Sequence, residues 1–263
     1  MYLSFSHEAI MKHIKFYSLT AAVLLTALTP VFADDRDWIP LLNGQDLTGW
    51  TPKFTGHALG ENPGNTFRVE DGMLRVAYDD AAVWSTFQGR FGHLFFEQEF
   101  SDYRLRVEYR FIGDQVHGGP GWGFRNNGIM IHGQSAESMG QDQKFPASIE
   151  VQLLGGNGQN ERFNLNACTP HTHVVYQGKL AKQHVIKADS RTFHGDEWVT
   201  VEIEVRGHQV VRHKIDGETV GRQEIARRGG AKLSGGSISI QAESHPTDFR
   251  KIELLPLAAE NTE

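Results

Sequence analysis

The sequence predicts an all-β chain, a two-sheet antiparallel sandwich with long loops and very little helix, and three observations carry that prediction. Apolar and polar side chains alternate with a period of two in run after run. Turn-forming pairs, among them Asp71-Gly72, Gly155-Gly156, Arg206-Gly207, Asp216-Gly217 and Gly235-Gly236, separate those runs at short intervals. Glycine and β-branched residues interrupt nearly every window that would otherwise hold a 3.6-residue period. Short strands at such spacing read as a sandwich.

In chain order, residues 66–70 and 73–77 flank Asp71-Gly72 as a pair of short strands. In residues 103–111, Tyr103, Leu105, Val107, Tyr109 and Phe111 share one face, while Arg104, Arg106, Glu108 and Arg110 share the other. One face in a core and one in water is the strand logic of that segment. Residues 129–132, 149–153 and 238–243 alternate with a different polar set. Ile149, Val151 and Leu153 point to a core, and Glu150 and Gln152 leave by the opposite face. Solvated sheet faces usually carry Lys, Thr and Arg, so a face of His, Glu and Gln reads as a place for a ligand. Residues 198–206 and 210–215 are strands, the second running into a hairpin at Asp216-Gly217. Short helical turns are expected only near residues 41–47 and 135–140. Residues 113–127 and 154–193 are long and irregular, and such loops shape a site or cap an edge.

The first 33 residues read as a segment apart. Lys12 and Lys15 precede an apolar run over residues 16–28, and small residues at Val31 and Ala33 lead into Asp34-Asp35. That is the pattern of a secretory signal cut after Ala33, with translation beginning at Met1 or Met11. Residues 34–263 then form a single domain, exported to the periplasm or beyond, with no membrane span once the signal is removed. The chain carries a formal charge of −6, and the first 33 residues hold Lys12, Lys15 and Glu8, so the mature domain stands at about −7. That balance excludes nucleic acid as a natural partner. The only cysteine is Cys168, so no internal disulfide exists and stability rests on the core. A lone cysteine of this kind is read as a small buried hydrophobe.

The strand faces supply the chemistry. Glu150 projects between apolar neighbours, where partial burial raises a carboxyl toward neutral pH, as a general base requires. His132 ends one of the strands, and His245 follows Glu243 at the end of another, so both are candidates for the same pocket. Gln152, Gln241 and Glu243 are placed to hold hydroxyl groups, and Arg125 is a candidate partner of Glu150. Glu150 facing Glu243 across a cleft would permit ordinary two-carboxylate glycoside hydrolysis. Trp122, in a glycine-rich loop, offers an aromatic platform or a packing residue. Asn127 reads as a turn residue first and a ligand contact second. His171-Thr172-His173 could grip a metal from an extended segment, and His132 is a further weak candidate ligand. Phosphate-binding glycine motifs and serine nucleophile elbows are absent.

Residues 41–50, Leu-Leu-Asn-Gly-Gln-Asp-Leu-Thr-Gly-Trp, followed by Glu70-Asp71-Gly72-Met73-Leu74, Asn127-Gly128-Ile129, Ile149-Glu150-Val151-Gln152, Asp196-Glu197-Trp198, Ile240-Gln241 and Phe249-Arg250-Lys251-Ile252, are similar in order and spacing to the motifs of the 3-keto-disaccharide hydrolase domain family. The resemblance runs over nearly the whole of residues 34–263, with Asn127 where serine is usual. It implies a concanavalin A-like jelly roll and the cleavage of a glycoside whose C3 hydroxyl is already a ketone. The ketone acidifies the C2 proton, a base removes it, the C1 substituent is expelled and water adds to the enone. Glu150 or His132 is then the base, Gln152 and Gln241 hold hydroxyls, and Arg125 or one divalent metal ion steadies the enediolate. No organic cofactor is needed. Two other readings stay open: a carbohydrate-binding jelly roll without turnover, and direct hydrolysis of an unmodified glycan. The expected partner in every case is a small carbohydrate, and the oligomeric state is not fixed by sequence.

Overall fold

A computed structural model describes residues 38–258; the secretory segment read at residues 1–33 lies outside the described residues. In chain order the elements are β1 (Ile39–Pro40), β2 (Trp50–Phe54), β3 (Phe67–Glu70), β4 (Met73–Val76), the single-turn helix α1 (Ala81–Trp84), β5 (Gly92–Phe100), β6 (Asp102–Phe111), β7 (Asn126–Gly133), β8 (Ile149–Leu154), β9 (Ala167–Cys168), β10 (His173–Tyr176), β11 (Lys179–Leu180), β12 (Val185–Ile186), β13 (Val199–Arg206), β14 (Val210–Ile215), β15 (Glu218–Arg228), β16 (Ala231–Lys232), β17 (Gly236–Ala242) and β18 (Thr247–Pro256). They form two antiparallel sheets of a jelly-roll sandwich. The large sheet runs β11-β10-β15-β14-β13-β6-β18-β4-β3, with β1 on β18 and β16 on β15. The small sheet runs β12-β9-β8-β7-β17-β5-β2. It therefore ends on one side at β2, which carries Pro52, and on the other at the two-residue β12.

The period-two pattern is what brings the sheets together. Tyr103, Leu105, Val107, Tyr109 and Phe111 of β6 are buried against Ile129, Ile131, Ile149, Val151, Leu153, Ile238 and Ile240 of the small sheet, all within one continuous core. Each such side chain contributes roughly 1.5–3 kcal/mol by leaving water. Cys168 is free and buried, so burial does this without a covalent brace. The hairpins follow the sequence closely. Asp71 and Gly72 both take positive φ (52° and 77°) between β3 and β4, as do Asp216 and Gly217 (53° and 82°) between β14 and β15. Two successive left-handed residues make the tight turn whose twist matches paired strands.

A short 3-10 turn forms at Ala136–Ser138, inside the window expected to be helical, with others at Pro63–Asn65 and Gly121–Gly123. Residues 41–47 form no helix. Asn43 Oδ1 accepts from the backbone N–H groups of Gln45 and Asp46, and Asp46 Oδ1 accepts from that of Thr48, so side chains divert the backbone donors a helix would use. No helix among the described residues is long and apolar enough to cross a membrane.

Candidate active site

The face of the small sheet turned away from the core is built by register. Glu150 of β8 stands opposite Met130 of β7 on one side and Cys168 of β9 on the other. One row along, Lys53 of β2, His93 of β5 and Gln241 of β17 are successive cross-strand partners, and Gln152 of β8 faces Gly128 of β7. Gly128 is a notch in this row. A Cβ there would stand 2.6 Å from Glu150 Oε1 and 2.9 Å from Gln241 Oε1, so the missing side chain is what lets both polar heads lean inward.

Over these strands lies a cavity of about 350 Å3 walled by Trp122, Asn126, Phe145, Glu150, Gln152, Cys168, Pro170, His184, Val185 and Glu243. A larger depression of about 530 Å3, with Phe163, Tyr176, Lys187, Asp189 and Arg222 in its wall, shares no residue with it. None of that depression's ionisable residues is buried, whereas Glu150 and Glu243 are 7% and 2% exposed. Of the two, it is the smaller cavity that holds buried carboxyls.

Two buried carboxyls with no cation beside them are held protonated far above the usual range. Burial pushes the Glu150 carboxyl up to about 8, with the Cys168 thiol pulling slightly the other way by hydrogen bonding to it. Glu243 is pushed well up, by burial first and by the charge of Glu150 second. Burial, then the nearby carboxyls, also push the Cys168 thiol up, so sulfur stays a neutral donor. Gln241 Nε2 donates to Glu243 Oε1 at 2.8 Å. Gln152 Oε1 accepts from Asn166 Nδ2 at 3.1 Å, which fixes its amide and leaves Nε2 to donate. Glu243 Oε2, Gln241 Oε1 and Asn126 Oδ1 are buried without a protein partner. Such atoms fit the hydroxyls of a sugar ring.

The aromatic wall is preformed. Trp122 stacks on Phe91 with centroids 5.8 Å apart and an interplanar angle of 6°, and Phe91 meets Phe145 at 4.8 Å. The loop bearing Phe145 is fastened from below. Lys53, itself buried, donates to the carbonyls of Phe54, His57 and Gln141, and the Gln134 and Gln143 amides bond to one another.

Trp122, Glu150, Gln152 and Glu243 thus meet as the sequence suggests, with Gln241 joined through Glu243. Four other candidates do not reach the cavity. His132 has φ 49°, and the register between β7 and β17 shifts at Ser237/Ser239. The alternation therefore fails at the end of β7, and the ring turns to donate Nε2–H to the Gly207 carbonyl at 2.9 Å, near Ile149, Val174 and Val211. Asn127 faces away as well: its Nδ2 donates to the Gln241 carbonyl at 2.9 Å and its Oδ1 accepts from Gly128 N–H, clamping two strands. Its neighbour Asn126 takes the cavity position. Arg125, at φ 43°, donates to the Gly195 carbonyl and lies over Phe124. His245 is buried edge-on to Phe111 and Phe124, and burial, with the charges of Arg125 and Arg162, lowers it to about 4.

His171 and His173 are exposed and outside the wall. Among the described residues no group of three or more His, Cys, Asp or Glu side chains converges as metal ligands. Asn126, Phe145, Cys168, Pro170, His184 and Val185 were not anticipated in the site. Composition alone marks Cys168 as a small buried hydrophobe, and its place beside Glu150 follows once β8 and β9 are paired.

Comparison with known proteins places this geometry in context. The family described as 3-keto-alpha-glucoside-1,2-lyase-like domain matches residues 37–255. A candidate glycosyl hydrolase of Parabacteroides distasonis ATCC 8503, solved at 1.70 Å, is 17% identical with a TM-score of 0.51, covering 84% of this chain and 94% of its own. A second from the same organism, solved at 2.00 Å, is 15% identical with a TM-score of 0.52, covering 84% of this chain and 99% of its own. At such identities the likeness is one of fold. No curated protein matches the sequence.

Proposed function

The chain belongs to the 3-keto-alpha-glucoside-1,2-lyase-like domain family, and on that premise we propose that it cleaves the glycosidic bond of 3-keto-glycosides by elimination followed by hydration. The observation that carries this reading is the pair of buried carboxyls, Glu150 and Glu243, in one cavity without a cation. Ordinary surface carboxylates are too weakly basic for a carbon acid, whereas one raised to about 8 is matched to the task.

Glu150, in the fraction of molecules where it is ionised, takes the C2 proton. The C–H pair becomes the C2=C3 bond of an enolate, whose oxygen Gln152 Nε2 holds by hydrogen bonding. The enolate then reforms the ketone, the pair moves to C1=C2, and the C1–O bond breaks. Glu243, which its surroundings keep protonated, gives that leaving oxygen a proton. Water adds across C1=C2, its oxygen to C1 and a proton to C2, returning the carboxyls to their starting states and releasing the free 3-keto sugar. Cys168 is a positioning residue in this scheme, donating S–H to Glu150. The scheme uses side chains of this chain alone, and no step is routed through a metal ion.

The first 33 residues support export as part of the same reading, which N-terminal sequencing of the cell-envelope protein would test. The reaction itself is tested with 3-keto and unmodified disaccharides, each with and without chelator. Turnover of the 3-keto compound alone, unaffected by chelator and lost in Glu150→Gln, is the expected result. Equal turnover of unmodified disaccharide would favour direct hydrolysis by the two carboxyls. Binding without turnover would favour a carbohydrate-binding module.

A further inference from the structure

The cavity changes character from floor to mouth, and resting on the elimination reading, we propose that its mouth takes a flat apolar aglycone, an aryl or arylalkyl group, as the leaving group instead of a second sugar. Two buried oxygens of the wall have no protein partner, Glu243 Oε2 and Asn126 Oδ1, and Gln241 Oε1, on the amide that bonds Glu243, has none either. These suit the hydroxyl-rich ring that reacts. At the mouth stand Trp122, 51% exposed, and Val185, 40% exposed. Single exposed apolar side chains are ordinary on a protein surface, but two on the rim of one cavity form a patch that a ligand can cover. Of the wall residues, only His184 is both polar and well exposed.

Trp122 is ordered before any ligand arrives, because its stacking on Phe91 occupies one face of the indole. The exposed remainder is a platform whose ordering cost is already met. A second pyranose could lay its C–H face on Trp122, but the hydroxyls around its rim would then meet Val185 and find one exposed polar side chain, His184, to receive them. A planar aromatic group would cover both apolar residues and leave no hydrogen bond unmade. The chemistry balances for such a substrate. The C1–O bond breaks, oxygen departs with the aglycone as an alcohol or phenol carrying the Glu243 proton, and the C2 proton stays on Glu150 until water adds.

The test compares 3-keto-glucosides that share the reacting ring and differ at C1: benzyl, methyl and glucosyl. Benzyl alcohol is a weaker acid than a sugar hydroxyl and so a poorer leaving group, and a preference for it must come from binding. The wild-type enzyme is expected to favour benzyl over both others by about tenfold or more in kcat/KM. The benzyl-to-methyl ratio is expected to fall toward one in Trp122→Ala and also in Val185→Ser, the second variant guarding against misfolding of the first. A glucosyl substrate equal to or better than benzyl, or a ratio unchanged in both variants, overturns the proposal while leaving the elimination intact. If no 3-keto-glycoside turns over, the elimination reading fails instead. Calorimetry with benzyl and methyl glucosides then decides the mouth: tighter benzyl binding that Trp122→Ala abolishes supports it, and equal binding overturns it.

Discussion

The outward faces of the two sheets carry the same acidic residue types and treat them oppositely. On the large sheet Glu108, Glu202, Glu204, Asp248 and Glu253 each have a cation. Arg104 meets Glu202 at 2.7 Å, Arg106 meets Glu253 at 2.8 Å, and Lys214 meets Glu204 at 2.7 Å. Asp248, wholly buried, is held by both Arg75 and Arg110. Arg250 hydrogen-bonds Glu108 and lowers it below its ordinary value. On the small sheet, Glu150 and Glu243 have no arginine or lysine beside them, and both are driven up. A glutamate on a strand is thus a structural ion or a proton carrier according to its cross-strand neighbour.

The sharpest way to break this contrast is to remove the carboxyl that is said to react. Glu150→Gln keeps shape and loses the base, and kcat on a 3-keto-glycoside should fall on the order of 10^3 to 10^4. In the wild type, kcat/KM should rise with pH through about 8 as that carboxyl ionises; a profile flat from pH 6 to 9 would remove Glu150 as base. Next in size, Gly128→Ala puts a Cβ within 3.0 Å of Glu150 Oε1 and Cγ and of Gln241 Oε1, so the whole Glu150 side chain must shift. Activity should drop by about 10^2 through misplacement of the base.

The large sheet answers in stability instead. Asp248→Asn strips a shared partner from Arg75 and Arg110, and chemical unfolding should show a loss of about 2–4 kcal/mol. Glu150→Gln should move the other way. Its carboxyl has a folded pKa above the unfolded one, so the folded chain keeps a proton the unfolded chain releases. That advantage is full below the unfolded pKa and is lost as pH rises toward 8. The variant should therefore match the wild type near pH 4 and become progressively the more stable of the two as pH rises toward 8, as urea unfolding at each pH would show. The smallest effect is expected at Glu108→Gln, whose partner Arg250 is 44% exposed, below about 1 kcal/mol.

Period-two patterning made most of the sandwich legible before any coordinates, because each core strand has one dry face. Glu150 and Gln152 were legible for the same reason, lying within β8 where alternation is strict, and Glu243 continues the face of Gln241 just past the end of β17. His132 was not, since one left-handed residue at a bulge reverses the face on which a side chain emerges, and nothing in Ile131-His132-Gly133 announces it. Asn126 and Asn127 differ by that same parity. Pro170, His184 and Val185 come from the long segment between β8 and β13, where tertiary contacts and not periodicity set position. Arg125 was read toward Glu150 on charge alone, and the Gly195 carbonyl claims it.

The borders of the small sheet bear on how the molecule behaves in company. Pro52 in β2 has no N–H to offer, and β12 exposes two residues of backbone, so another molecule finds little to zip onto at either margin. An added strand would find few backbone donors and acceptors to pair with at either border of the sheet that carries the cavity.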